Sequence, residues 1–224
     1  MDKRMNIKAE NLSKNYKKKN SPDIEVLKNI DFLITSGQKV AFTGPSGAGK
    51  STLIHILGLM DRPTSGKVYI GDIDCFAGDD EYLCNMRKKN IGFIFQFHYL
   101  MPDFTVLENI LLPAWSERNI KLKQARSILK KVGLLHRQNH FPNELSGGEE
   151  QRTAFARALI NNPRIIFADE PTGNLDKTTG IEIEKLLFEN SSETGSTLVL
   201  VTHNEELASK ADAIIKISDG QMSV

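Results

Sequence analysis

Apolar residues in this chain alternate between short unbroken runs and stripes at helical spacing. Val40-Ala41-Phe42, Ile165-Ile166-Phe167-Ala168 and Thr197 to Val201 are unbroken, as strands buried on both faces are. Ala213 to Ile217 continues the series. Leu53, Ile54, Ile56 and Leu57 share one face and predict a helix over Ser51 to Leu59. Leu122, Ala125, Ile128, Leu129 and Val132 predict a second helix, stopped by Gly133. Ala154, Phe155, Ala158 and Leu159 predict a third, ended at Asn162-Pro163. Residues 5–43 read as short strands, including Ile24 to Ile34, broken by a polar loop from Lys17 to Asp23. Gly66 to Cys75 reads as a hairpin turning at Gly71-Asp72. From about Asp79 the texture turns helical, and strand–helix alternation resumes near residue 162. The order predicts one α/β domain over 1–224. Its parallel-sheet core and β strands occupy 1–78 and 162–224, with a helical insertion over 79–161.

Two distant stretches are each built to hold a phosphate. The first is Gly44-Pro45-Ser46-Gly47-Ala48-Gly49-Lys50-Ser51-Thr52, lying between the strand around Val40 to Phe42 and a helix. A glycine-rich turn there aims backbone N–H groups at an anion, Lys50 adds a charge and Ser51 a hydroxyl for Mg²⁺. The second is Leu145-Ser146-Gly147-Gly148-Glu149, where Ser146 and Glu149 form a capping box that leaves two glycine N–H groups exposed. By residue frequencies the first pattern arises in roughly one chain in a hundred of this length, and both together in about one in 10⁵. One nucleotide needs only one such cradle. The economical reading is a site shared by two copies, each lending its Ser-Gly-Gly turn to the ATP held by the other.

Asp169-Glu170 follows the run Ile165 to Ala168, and His203 follows the run ending near Thr202. Ligands in open parallel sheets bind at the carboxyl ends of strands. Phosphoryl transfer needs a carboxylate for the metal and a group that deprotonates the attacking water. Asp169 suits the first role and Glu170 the second, with His203 donating to the γ-phosphate. His55, His98, His136 and His140 have no such placement and read as structural.

Composition narrows the partners. Lys+Arg 29 against Asp+Glu 28 leaves a net charge of +1, so no global field favours nucleic acid or an anionic membrane. Lys17-Lys18-Lys19 is too short for a binding patch. Cys75 and Cys84 lack metal-ligand spacing and read as free thiols. Met1 to Glu10 is charged, which does not suit a signal peptide, and no apolar run is long enough to span a bilayer.

The set formed by the Gly44–Thr52 loop, Gln96, Leu145 to Glu149, Ile165 to Glu170, Asn174-Leu175-Asp176 and His203 resembles the motifs of ABC-transporter ATPase domains. That resemblance implies a P-loop NTPase (RecA-like) core with an antiparallel β subdomain and an α-helical subdomain. It implies that Gln96 contacts Mg²⁺, that Asp176 crosses a dimer interface and that Tyr16 stacks on adenine. Pro171 to Asp176 and Gln96 to Asn109 are similar to the LolD, MacB and FtsE group, and within it to the lipoprotein-releasing branch. The implied protein is an ATPase subunit, dimeric around two ATP and bound beneath transmembrane permease subunits at the cytoplasmic face of a bacterial inner membrane. A MacB-like export ATPase and an FtsE-like ATPase gating a cell-wall hydrolase activator stay open. Glu150 departs from the family pattern. A second acid in that turn is expected to face the triphosphate and weaken nucleotide-driven pairing.

Overall fold

The computed structural model describes residues 5–17 and 22–223. Met1 to Arg4 lie outside the described residues, as do Lys18, Lys19 and part of the polar loop expected over Lys17 to Asp23. Two sheets form. The smaller is antiparallel, from β1 (Ile7–Tyr16), β2 (Ile24–Ile34), β4 (Ser65–Ile70) and β5 (Ile73–Asp74), in the order β2-β1-β4-β5. The larger contains β3 (Lys39–Thr43), β6 (Ile91–Phe95), β7 (Ile165–Asp169), β8 (Thr197–Val201), β9 (Ala213–Ser218) and β10 (Gln221–Ser223). Its order is β10-β9-β3-β8-β7-β6, parallel except for β10. The expected hairpin is present, with Ile70 opposite Ile73 across Gly71-Asp72.

The unbroken apolar runs are explained by what covers each face. Val40, Phe42, Ile165, Phe167, Val199 and Val201 join a cluster shared with the antiparallel sheet and α1 (Lys50–Leu57). Their neighbours Ala41, Ile166, Ala168, Leu198 and Leu200 join a second cluster, under α3 (Val106–Leu111), α5 (Gly147–Leu159) and α6 (Lys177–Thr194). Successive strand residues point to opposite faces. With both faces roofed, every position must be apolar. Each fully buried side chain of this kind contributes roughly 1.5–3 kcal/mol.

Two strands escape the sequence pattern, the short β10 and β6. β6 lies inside the stretch 79–161 read as helical, yet it forms the edge of the core sheet beside β7. It follows α2 (Asp80–Asn90) with no intervening turn residue, so nothing local marks the change. Gly92 gives the reason for its composition. A Cβ there would lie 2.6 Å from the Ala158 carbonyl oxygen, so α5 packs directly on the β6 backbone. The helical part proper begins at α3 and includes α4 (Arg118–Lys131) and α5.

Between β6 and α3 the chain makes a loop that displays Phe97, Tyr99 and Met101 to solvent. Asn109, fully buried on α3, closes it. Its Nδ2 donates to the carbonyls of Phe104 (2.8 Å), Met101 (3.0 Å) and Thr105 (3.1 Å), and its Oδ1 accepts from the Met101 amide at 2.8 Å. Asn109→Leu preserves volume but not these bonds. It should lower unfolding free energy by about 2–3 kcal/mol, the cost of buried polar groups left unpaired. Denaturant titration checks the loss, and amide exchange at Met101 should quicken well beyond the global change.

Candidate active site

The carboxyl ends of β3, β8 and β7 stand side by side, and the candidate residues follow them. After β3 the loop Gly44 to Thr52 wraps into α1. Gly49 caps that helix at φ 99°, and a Cβ on it would meet the Val26 carbonyl oxygen at 2.7 Å. Only glycine holds that turn against β2. Lys50 is buried, its Nζ donating to the carbonyls of Gly44 (2.8 Å) and Pro45 (2.9 Å). The ammonium is thereby aimed into the mouth of the loop.

Asp169 ends β7 with its carboxylate against the Ser51 hydroxyl. Burial pushes this acid above the usual carboxylate range, with Glu170 adding to the shift, while Ser51, His55 and Lys50 oppose it. Its Oδ1 is buried and has no hydrogen-bond partner. Glu170 sits at φ 45°, a left-handed backbone uncommon outside glycine. The turn directs its carboxylate toward β8. Oε2 accepts from the Thr202 hydroxyl at 3.1 Å, and Oε1 accepts from the His203 amide at 3.0 Å. The same Oε1 lies 2.7 Å from His203 Nδ1. With Nδ1–H donating to Glu170, the ring presents Nε2 on its far side.

Tyr16 lies beside the loop, hydrogen-bonded to Thr52 and donating its hydroxyl to Asp61 Oδ2 at 2.8 Å. Lys14 Nζ covers the ring at 4.8 Å from its centroid and donates to Asp61 Oδ1 at 2.7 Å. Gln96 follows β6 and is paired with Asn174: its Nε2 donates to Asn174 Oδ1 at 3.0 Å, and Asn174 Nδ2 donates back to the Gln96 carbonyl at 3.2 Å. Asp176 caps α6, accepting from the amides of Thr178 and Thr179 and from the Thr179 hydroxyl at 2.6 Å.

The Ser146–Glu149 turn forms the expected capping box at the start of α5. It stands apart from the cluster just described. Among the described residues no hydrogen bond or ion pair joins it to the Gly44–Thr52 loop. Its neighbour is α6, since a Cβ on Gly148 would come within 2.5 Å of Thr179 Cγ2. A Cβ on Gly147 would meet nothing within 4 Å, so the turn opens outward.

A model of the family described as ABC transporter matches residues 27–173. The chain belongs to the ABC-transporter family. It is 48% identical over 217 residues, 96% of this chain and 97% of the relative, to the lipoprotein-releasing system ATP-binding protein LolD of Cytophaga hutchinsonii. It is also 48% identical to the LolD of Geobacter metallireducens, over 89% of this chain and 90% of that one. Among solved structures it superposes at TM-score 0.89 and 43% identity on the dimeric structure of MJ0796, a bacterial ABC transporter cassette, covering 97% of each chain. A post-hydrolysis state of the same cassette, bound to ADP and Pi, matches at TM-score 0.87 and 41% identity. The fold is that of the ABC ATPase cassettes.

Within this ABC cassette, two polar residues of α5 escaped the sequence reading, Gln151 near its start and Arg157 in its last turn, and a third, Glu150, is placed otherwise than expected. Glu150 does not point outward. Its Oε2 lies 3.2 Å from His98 Nδ1, so the acid is turned onto the loop that leaves β6. Gln151 is buried and donates to the carbonyls of Pro171 (2.6 Å) and Phe95 (3.2 Å). Arg157 donates to the carbonyls of Tyr99 and His98, both at 2.6 Å. A polar residue recurring within an apolar helical stripe was the available signal. Their partners lie some fifty residues earlier or, for Pro171, twenty later, and leave no local mark.

Burial holds His98 below its ordinary range of 6.5, and Arg157 acts in the same direction, while Glu150 pulls it back up. The folded chain therefore takes up this proton at lower pH than the unfolded chain. Between the two values the unfolded state carries more protons, so stability falls as pH drops below about 6.5. Thermal midpoints across pH 7 to 5 should decline for the wild type and decline less for His98→Gln.

Proposed function

We propose that the chain is the ATP-hydrolysing subunit of a membrane transporter, closing head to tail with a second copy around two ATP to drive lipoprotein release. The observation that carries this reading is the separation of the two phosphate cradles. Gly44 to Thr52 lies with Asp169, Glu170 and His203, whereas the Ser146 turn opens outward from α5. A second copy could bring its turn to the open side of the nucleotide. The LolD names of relatives at 48% identity and the dimer described for the MJ0796 cassette support the cargo class and the pairing.

The loop amides and Lys50 hold the β- and γ-phosphates, and the Tyr16 ring offers adenine a face. Glu170 takes the proton of the water that attacks the γ-phosphorus, as the bond to the β-phosphate oxygen breaks and ADP and phosphate separate. Thr202 and His203 fix the orientation of that carboxylate. A His203 ring protonated on both nitrogens would donate from Nδ1 to Glu170 and from Nε2 to the γ-phosphate. The Ser51 hydroxyl and the unpartnered Asp169 Oδ1 fit a hard cation such as Mg²⁺, which would neutralise charge on the phosphates. Gln96 gives its Nε2 to Asn174, which leaves Oε1, the atom that binds a hard cation, to join them, and Asp176 is engaged in capping α6.

No helix among the described residues is long and apolar enough to cross a membrane. A groove of about 300 Å³ between α2, β6 and α5 is bordered by Phe95, on which Tyr99 packs edge to face. With Tyr99 exposed beside Phe95 and Phe97 packed on Tyr99, it offers a transmembrane subunit an apolar seat at the cytoplasmic side of the inner membrane.

Glu170→Gln should bind ATP and form a stable dimer while hydrolysis falls about 10²- to 10⁴-fold. Lys50→Ala should lose nucleotide binding as well. Ser146→Arg fills the space over the γ-phosphate. A mixed dimer of Ser146→Arg with Lys50→Ala gathers both lesions into one composite site and leaves the other whole, so mixing two inactive proteins should restore hydrolysis. A silent mixture, under conditions where mixed dimers form, would sink the two-copy site.

A further inference from the structure

The turn offered to a neighbour's triphosphate carries an acid. Glu149 accepts from the Ser146 amide (2.9 Å) and hydroxyl (3.1 Å) through Oε2. An ionised carboxylate this close to a phosphate-binding turn works against its purpose. The second oxygen supplies the remedy. Oε1 accepts from Arg137 Nε at 3.0 Å. The pair is half-sheltered, with side-chain exposures of 34% for Arg137 and 14% for Glu149, so solvent screens it only in part.

Arg137 is itself fixed. Its Nη1 lies 3.1 Å from His140 Nε2, its amide donates to the Leu134 carbonyl, and its carbonyl accepts from the His140 amide. The same short stretch is fastened to α3, for Val106 donates to the His140 carbonyl at 2.8 Å and Leu107 to the Gln138 carbonyl at 3.0 Å. α3 in turn anchors the exposed loop through Asn109. A continuous series of bonds thus runs from that loop through α3 and Arg137 to Ser146.

We infer that Arg137 is a positioning residue for ATP hydrolysis: it cancels the charge of Glu149 and locks the rotamer that orients Ser146, allowing the turn to approach a second copy's γ-phosphate. This rests on the two-copy site proposed above. The Ser146 amide first, then Arg137 and the Ser146 hydroxyl, hold the Glu149 carboxyl below its usual range against the effect of burial, so the charge to be cancelled is present at neutral pH. Arg137's side-chain partners are Glu149 and His140, and among the described residues no hydrogen bond or ion pair joins it to the Gly44–Thr52 loop, so nucleotide binding by a single chain does not depend on it.

The test uses the full chain in the Glu170→Gln background, with ATP and Mg²⁺, reading dimer formation by sedimentation and ADP affinity by calorimetry. Arg137→Met should leave ADP affinity within about twofold and raise the ATP concentration for half-dimerisation about five- to tenfold, the size of a partly screened charge pair. Adding Glu149→Gln to Arg137→Met removes the exposed charge while keeping a capping amide, and should recover most of the dimer. Arg137→Lys, which keeps the charge, should dimerise close to the parent. A merely structural arginine would not be rescued by a change at Glu149. Loss of ADP binding in Arg137→Met, or a double variant no better than the single one, would overturn the inference. If the Glu170→Gln parent forms no ATP-dependent dimer, the two-copy reading fails and Arg137's role with it. If the parent dimerises and Arg137→Met does so equally, only the role of Arg137 falls.

Discussion

Parallel pairing of β8 with β3 on one side and β7 on the other is the constraint on which the site depends. It brings three carboxyl strand ends together, and hydrogen bonding continues past them. Thr202 donates to the Phe42 carbonyl at 3.1 Å, and Glu170 donates to the Val201 carbonyl at 2.8 Å. The loop after β3, His203 after β8 and the acids after β7 are therefore fixed relative to one another by backbone. That rigidity has a thermodynamic source in the two apolar clusters that cover β8 completely. A polar residue in the strand would lose one roof or the other, and the three ends would part.

On this frame the recurring problem is negative charge. A triphosphate site needs acids for the metal and for the water, and each acid repels the substrate until it is paired. Asp169 is buried against Ser51, Glu170 is bonded to Thr202 and His203, Glu149 is matched by Arg137, and Glu150 is turned onto His98. The expectation that Glu150 faces the triphosphate assumed an unpaired side chain. His98 removes that premise, and it does so from a loop fifty residues earlier in the chain.

The same loop links the helical part to the core. Arg157 grips its carbonyls, Gln151 bridges the end of β6 to Pro171, and Asn109 closes it from within. Gln96 and Asn174 hold each other across the gap. A partner pressing on Phe97 and Tyr99 would move the Ser146 turn and the Gln96 amide together, because both hang on one set of buried polar contacts. Hydrogen bonds thus join this loop to the helical part, beside the apolar cluster that the helices and the core sheet share.

What the sequence determined by itself was everything whose physics is local. The glycine turn, its lysine, the Ser146–Glu149 capping box, the acids at a strand end and the doubly buried runs each follow from residues within a few positions of one another. β6 stayed hidden because it follows α2 without a turn residue and its glycine answers to Ala158, which local pattern cannot reveal. Tertiary structure alone decided that Glu170 meets His203, that Gln96 is held by Asn174 and that Arg137 reaches Glu149. Those contacts join residues whose proximity is set by strand order and helix packing. No short-range preference encodes which distant side chain will arrive.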